Sequence, residues 1–191
     1  MTGRTHDLAA FTAINLIFVT QPIPQMTLAT FAVSIGANMI GGLLPDIDNA
    51  TADIWDKIRG GSFVGKLIKP LIGGHRMLSH SLLGMGIVGF LLDRALIAVS
   101  DIFLIDMNIV WWATMIGYFS HLLTDSLTTQ GVPWLFPIPI RFGFPPFKSL
   151  RIKTGGFMEK VIVFPGLILL NGYIIYKNYF LYEALFRNFV D

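Results

Sequence analysis

Five apolar stretches, each close to the length of a bilayer-crossing helix, run along this chain between polar, glycine-rich or proline-rich breaks. That pattern leaves few folds open. A hydrocarbon core about 30 Å thick takes about 20 apolar residues as a helix. Within lipid every backbone N–H and C=O needs an internal partner, and a helix supplies its own. The stretches cover roughly residues 7–20, 27–44, 79–100, 102 or 107–123, and 161–176. The expected fold is all-α: a polytopic membrane helix bundle of about five spans. It forms a single integral domain over residues 1–191, with cytoplasmic loops at about 45–78 and 126–160. Only 14% of the residues are charged, against about 25% in soluble domains, and the mean hydropathy is +0.63. Arg4 before the first stretch gives it the look of a signal peptide, but Thr20-Gln21-Pro22-Ile23-Pro24 follows instead of a small-residue cleavage site. A retained first span is expected.

Lysine and arginine then orient the bundle. Arg4, Lys57, Arg59, Lys66, Lys69, Arg76, Arg141, Lys148, Arg151, Lys153 and Lys160 all fall on one side of the five-span arrangement, eleven of the fourteen basic residues. The positive-inside rule puts that side, and the N-terminus, in the cytoplasm and makes the inner membrane the expected location. The net charge of +2 gives no reason to expect nucleic acid as a partner.

On that topology the polar clusters converge. His6 precedes the first span, Asp46 and Asp48 follow the second, and His75, Arg76 and His80 open the third. His121 and Asp125 close the fourth, and Glu159 precedes the fifth. Each lies at the cytoplasmic end of its span, although the orientation was set by Lys and Arg alone. The chain has four histidines and no cysteine, so a transition metal would be held by imidazole and carboxylate.

Helical phase ranks these residues. His121 and Asp125 are four apart and share a face, a ready pair for one metal, or for bridging two. The bland alternative is a helix C-terminus with His on the dipole and Asp in water. His75 and His80 are five apart, about 140° round a helix, so they converge only if a turn follows Gly73-Gly74 and the helix starts near Leu78 or Ser79. Ser79 is then the expected cap, and a capped helix start beside a solvated His-Arg pair is the competing account. Asp46 and Asp48, two apart in an extended segment, point opposite ways, one toward a metal and the other toward a histidine; a solvated turn is as good a reading. His6 and Glu159 gain weight only from their position.

Two loops carry aromatic and apolar side chains. Residues 54–71 mix Trp55, Ile58, Phe63 and Leu67 with lysines and an arginine, as an interfacial segment does. Residues 134–147 set Trp134, Phe136, Phe142, Phe144 and Phe147 among Pro137, Pro139, Pro145 and Pro146, which excludes a regular helix and suggests an inner-leaflet anchor. A lid that guides a lipid to the site is the sharper alternative.

The ordered set Gly-Gly-x-x-Pro-Asp-x-Asp from Gly41, His-Arg-x-x-Ser-His-Ser from His75, and His-x-x-x-Asp-x-x-Thr-x-x-Gly from His121 resembles the inner-membrane metal-dependent hydrolase family of LexA-binding type. The likeness runs from His6 to about Glu159. It implies a small polytopic helical protein with a divalent-metal site, and its characteristic polar positions match His6, Asp46, Asp48, His75, Arg76, His80, His121, Asp125 and Glu159. One departure is Asn49, where the family often has histidine.

The expected function is a membrane-embedded metal-dependent hydrolase whose site faces the cytoplasm. His6, Asp46, His75, His80, His121 and Asp125 are the expected ligands of one or two divalent ions, Zn²⁺ or, in a more oxygen-rich site, Mn²⁺. Asp48 or Glu159 is the expected base and Arg76 the stabiliser of developing negative charge. Membrane lipid is the expected surrounding, a lipid-like phosphoester the expected substrate, and a cytoplasmic protein partner is expected only on the alternative account. That alternative is a non-catalytic membrane regulator or scaffold with a structural metal site. An ion transporter would carry its ionisable groups near the midplane, not at helix ends.

Overall fold

The computed structural model describes residues 1–21, 26–48, 77–138 and 140–190. Six α-helices appear among them: α1 Gly3–Thr20, α2 Leu28–Leu43, α3 Leu82–Val99, α4 Met107–Ser126, α5 Phe164–Lys177 and α6 Tyr179–Val190. A 3₁₀ turn, Leu44–Asp48, extends α2, and a π-helical turn, Glu159–Val163, leads into α5. The described residues contain no strand, only two isolated bridges, Thr128 with Ile152 and Val132 with Phe142, which fold the long connection after α4 back on itself.

Among the described residues, three helical stretches are long and apolar enough to cross a membrane: Leu28–Ile47, Leu82–Val99 and Glu159–Lys177. The sequence pattern predicts about five. The other two stretches do form helices of 18 and 20 residues, but α1 and α4 carry most of the polar side chains and are less apolar overall.

Those polar side chains face inward. The buried face of α1 is Thr5, His6, Ala9, Ala10, Thr12 and Asn15; that of α2 is Thr30, Ser34, Asn38, Gly41, Gly42 and Leu43. Large apolar residues such as Ile40, Phe90, Leu91, Leu169 and Phe180 face outward. A small, polar interior with an apolar exterior is the packing of helices in lipid, where association depends on close approach and interhelical hydrogen bonds.

Helix α4 is the hub, in contact with α1, α2 and α3. Its approach to α2 is backbone on backbone. A Cβ at Gly41 would meet the Thr114 carbonyl oxygen at 2.1 Å, and one at Gly117 would meet the Asn38 carbonyl oxygen at 2.0 Å. Gly42 lies against Ala10 of α1, whose Cβ a Gly42 Cβ would meet at 3.0 Å. Three helices thus meet at one node of small residues. Helix α5 joins α1 through a buried amide network: Asn15 Nδ2 donates to Asn171 Oδ1 at 3.0 Å, and Asn171 Nδ2 donates to Thr12 Oγ1 at 2.7 Å. Tyr182 of α6 donates its hydroxyl to Asn15 Oδ1 at 3.1 Å.

Local starts and stops depart from expectation in three places. Helix α3 begins at Leu82, not near Leu78 or Ser79, and its cap is Ser81, whose Oγ accepts from Gly84 N at 3.1 Å. Residues 78–81 form a turn that crowds the helix start, where a Cβ on Gly84 would lie 2.0 Å from the Leu78 carbonyl oxygen. The Pro45-Asp46-Ile47-Asp48 segment is helical instead of extended: it continues α2 as a 3₁₀ turn, and Pro45, which has no N–H, ends the α-helical ladder there. Helix α6 follows a break at Asn178, whose side chain donates to the Ile174 carbonyl at 2.8 Å and competes with helix continuation.

Candidate metal centre

The node sets the site. One helical turn from each of its small residues stands a polar one: His6 before Ala10, Asp46 after Gly42, His121 after Gly117. Helices that touch at the node must bring these side chains together one turn away, and Asp125 continues the α4 face by another turn. His80 comes from the turn before α3, which is fastened to α4 by the Tyr118 hydroxyl donating to the Ser79 carbonyl.

The ring Nε2 atoms point at the two carboxylates. His80 Nε2 lies 3.5 Å from Asp46 Oδ1 and 3.7 Å from Asp125 Oδ2. His121 Nε2 lies 3.9 Å and 3.7 Å from the same two oxygens. His6 Nε2 is 3.2 Å from Asp125 Oδ1, and the His6 and His121 rings stack with centroids 3.7 Å apart. Metal–ligand bonds of about 2.0–2.2 Å at tetrahedral angles put neighbouring ligand atoms about 3.3–3.6 Å apart. The separations here, 3.2–3.9 Å, bracket that range, so these atoms could hold an ion with small adjustments of the side chains.

The opposite ring nitrogens are held. His121 Nδ1 is 2.7 Å from the Gly42 carbonyl oxygen, which only accepts, so Nδ1 carries the proton and the Nε2 lone pair faces the centre. His6 Nδ1 is 2.9 Å from Thr124 Oγ1. That hydroxyl's own hydrogen lies toward the Ser120 and His121 carbonyls at 3.0 and 2.9 Å, so His6 Nδ1 is the donor. His80 Nδ1 lies 3.1 Å from Ser79 Oγ. Histidines that ligate metals are oriented in this way, with the second nitrogen bonded to protein.

Two overlapping triads have the spacing to hold an ion: His6, Asp46 and His121, and His80, His121 and Asp125. They share His121, a geometry compatible with one ion or with an adjacent pair. Three imidazoles and two carboxylates without thiolate form a borderline donor set that fits Zn²⁺ and, less closely, Mn²⁺. His6, His80, His121 and Asp125 are fully buried, and the Asp46 side chain is 19% exposed, the most open member of the cluster. The Met1 amino group also donates to Asp125 Oδ1.

Residues 1–184 match the family described as YdjM inner membrane protein. The chain belongs to the YdjM family. It is 32% identical over 179 residues to uncharacterized protein YvsG of Bacillus subtilis (strain 168), covering 92% of this chain and 95% of that one. It is 35% identical over 120 residues to inner membrane protein YdjM of Escherichia coli (strain K12), and equally to that of Shigella flexneri. That match takes in 63% of this chain and spans only 56% of the YdjM protein. No solved structure matches. Family and apolar helices agree on a membrane protein.

In this YdjM-family chain, five of the sequence-derived site residues come together: His6, Asp46, His80, His121 and Asp125. His75 and Arg76 lie outside the described residues, as does the side chain of Asp48. Glu159 is buried at a separate set of donors. Its Oε1 accepts from Thr2 N at 2.7 Å and Thr2 Oγ1 at 2.8 Å, and its Oε2 accepts from Gly155 N at 2.7 Å. Gly155, at a φ of +69°, makes the turn that presents this N–H. These bonds tie the Glu159 carboxylate to the start of α1 and to the turn at Gly155. The supporting groups Thr124 and Thr2 were not singled out from sequence, because each acts across helices. Gly42 and Ser79 stand in the motifs, but as a glycine before Asp46 and an expected cap, not as partners of His121 and His80.

Proposed function

We propose that this chain is a membrane-embedded metal-dependent hydrolase, with His6, Asp46, His80, His121 and Asp125 as its ligand set. The observation that carries the reading is the convergence of three imidazole Nε2 atoms on two carboxylates at 3.2–3.9 Å, with Nδ1 of His121 and of His6 anchored as donors. A divalent ion bound there, most readily Zn²⁺, supplies a Lewis acid and a bound water of lowered pKa. The protein's part is to keep the imidazoles neutral and aimed and to exclude bulk water. Asp46, as the partly exposed member, marks the side from which substrate approaches. Arg76 and Asp48, beyond the described side chains, retain their expected parts as charge stabiliser and base; Glu159 is a positioning residue for α1.

All five long helices cross the bilayer in this reading. The polar faces of α1 and α4 are tolerated because they are turned to the interior. The excess of Lys and Arg places the site at the cytoplasmic face. A lipid-like phosphoester suits that depth. In support, a cavity of about 600 Å³ is bordered by Thr2, Arg4, Thr5, Glu159, Lys160 and Phe164, and so offers two cations and an apolar side chain next to the helix α1 turn that carries His6.

Full burial of four of the five ligands favours a second reading, a closed structural metal in a regulator or scaffold with a cytoplasmic protein partner. The test is metal quantification on the purified protein together with a lipid-phosphoester hydrolysis screen. Bound metal with metal-dependent turnover supports the enzyme. Metal without turnover supports the scaffold, and absence of metal from protein purified without chelator overturns both.

A further inference from the structure

The helices that close on one another at the node part again at the opposite end of the bundle. A cavity of about 370 Å³ lies between α1, α2 and α4, walled by Phe18, Phe31, Ile35, Trp112 and Ile116. Its size is that of a pocket for a small molecule. It is not an extension of the metal centre. On α1 its lining begins at Ile14, eight residues or roughly 12 Å beyond His6, and the Gly41–Thr114 and Gly117–Asn38 contacts stand between the two.

Three features define what the cavity takes. Ser34 lines it, is 3% exposed, and its Oγ has no hydrogen-bond partner among the described residues. Buried hydroxyls are almost always paired, so an unpaired one facing a cavity calls for an acceptor or donor inside it. Ile17 and Trp112, 42% and 56% exposed, carry the wall out to the apolar exterior of the bundle, so access is sideways. Gln21 and Asn108 give it an uncharged polar rim, and among the described residues no Lys or Arg lines the cavity. The nearest charge along α4 is Asp106, which caps that helix.

We propose that this cavity binds one membrane phospholipid from the leaflet opposite the metal centre. One acyl chain lies along Phe31, Ile35 and Ile116, an ester carbonyl accepts from the Ser34 hydroxyl, and a zwitterionic headgroup rests at the Gln21–Asn108 rim. An anionic headgroup would meet Asp106 and no compensating cation. The bound chain fills a gap between the three helices that lead to His6, Asp46, His121 and Asp125. The site stands independently of whether those residues hold metal.

Native mass spectrometry of the full chain in detergent tests this, with phosphatidylethanolamine, phosphatidylglycerol and a long-chain quinone offered separately. The expected result is one phosphatidylethanolamine retained per chain. Retention should fall about tenfold in Ile35→Trp, which fills the cavity, and several-fold in Ser34→Ala, which removes about one hydrogen bond. Circular dichroism and gel filtration confirm that each variant is folded, and Ser34→Ala keeps the test decisive if Ile35→Trp is not. No retained lipid, equal retention by wild type and Ser34→Ala, or preference for phosphatidylglycerol or the quinone would overturn the proposal.

Discussion

His121 Nδ1 sits 2.7 Å from the carbonyl oxygen of Gly42, the residue one turn before Asp46. A single contact therefore fixes the tautomer of a ring on α4 and ties it to the end of α2, one turn before the carboxylate of Asp46. The same backbone stretch supplies the glycine that lets the helices approach, so architecture and candidate chemistry are joined at one peptide group.

Metal content should follow the converging ligands. His121→Ala and Asp125→Asn are expected to abolish bound metal, measured by elemental analysis of purified protein. Thr124→Val touches no metal but removes the partner of His6 Nδ1; it is expected to weaken affinity by about tenfold or more in chelator competition. Unchanged metal in all three variants would remove the centre.

The node should not tolerate a methyl group. Gly117→Ala drives a Cβ against the Asn38 carbonyl, so the expected loss is about 1–3 kcal/mol or more. Gly36→Ala has nothing within 4 Å of the added carbon and should be neutral or stabilising by up to about 1 kcal/mol through helix propensity. Unfolding in mixed micelles measures both. Equal effects at the two positions would contradict the close approach of α2 and α4.

Glu159 separates a holding role from a catalytic one. Glu159→Ala is expected to loosen the start of α1, read as faster amide exchange at Thr2 and Thr5, and to lower metal retention indirectly. Glu159→Gln keeps an acceptor oxygen and should recover most of both. Full loss in Glu159→Gln of a hydrolytic activity that the wild type shows, with metal intact, would instead return the residue to the role of base.

The amide network between α1 and α5 should be coupled. Asn15→Leu and Asn171→Leu are each expected to cost about 0.6–1.7 kcal/mol, and the double variant less than their sum, because each single change strands the other amide. Strict additivity in the double-mutant cycle would show that the Asn15–Asn171 contact contributes nothing.

Most of the helical order was legible in the lengths of the apolar runs. The convergence of five of the ligands was legible too, because each falls at the end of an apolar run on the same side of the span order. The details that failed are those decided by backbone contacts. The turn at 78–81 exists because Gly84 admits the Leu78 carbonyl, and no periodicity marks that. The helix after Asn178 was hidden behind a run too mixed in character to read as a span. The imidazole orientations depend on Thr124 and the Gly42 carbonyl, which lie on other helices than the rings they hold. For α1 and α4, the side chains that make the site are the ones that dilute the apolar signal.

The spread of the ligands along the chain has a consequence for biosynthesis. His6 leaves the ribosome first and Asp125 not until two-thirds of the protein has been made. No shorter nascent chain contains both α1 and the α4 face that completes the cluster. On the proposed reading of five spans and a metal centre, the early helices would wait with their inward polar faces unmatched, and ion capture would fall after α4 has been made. Loading would then report that the first four helices have found their register, and a chain stalled before that point would have nothing with which to compete for metal.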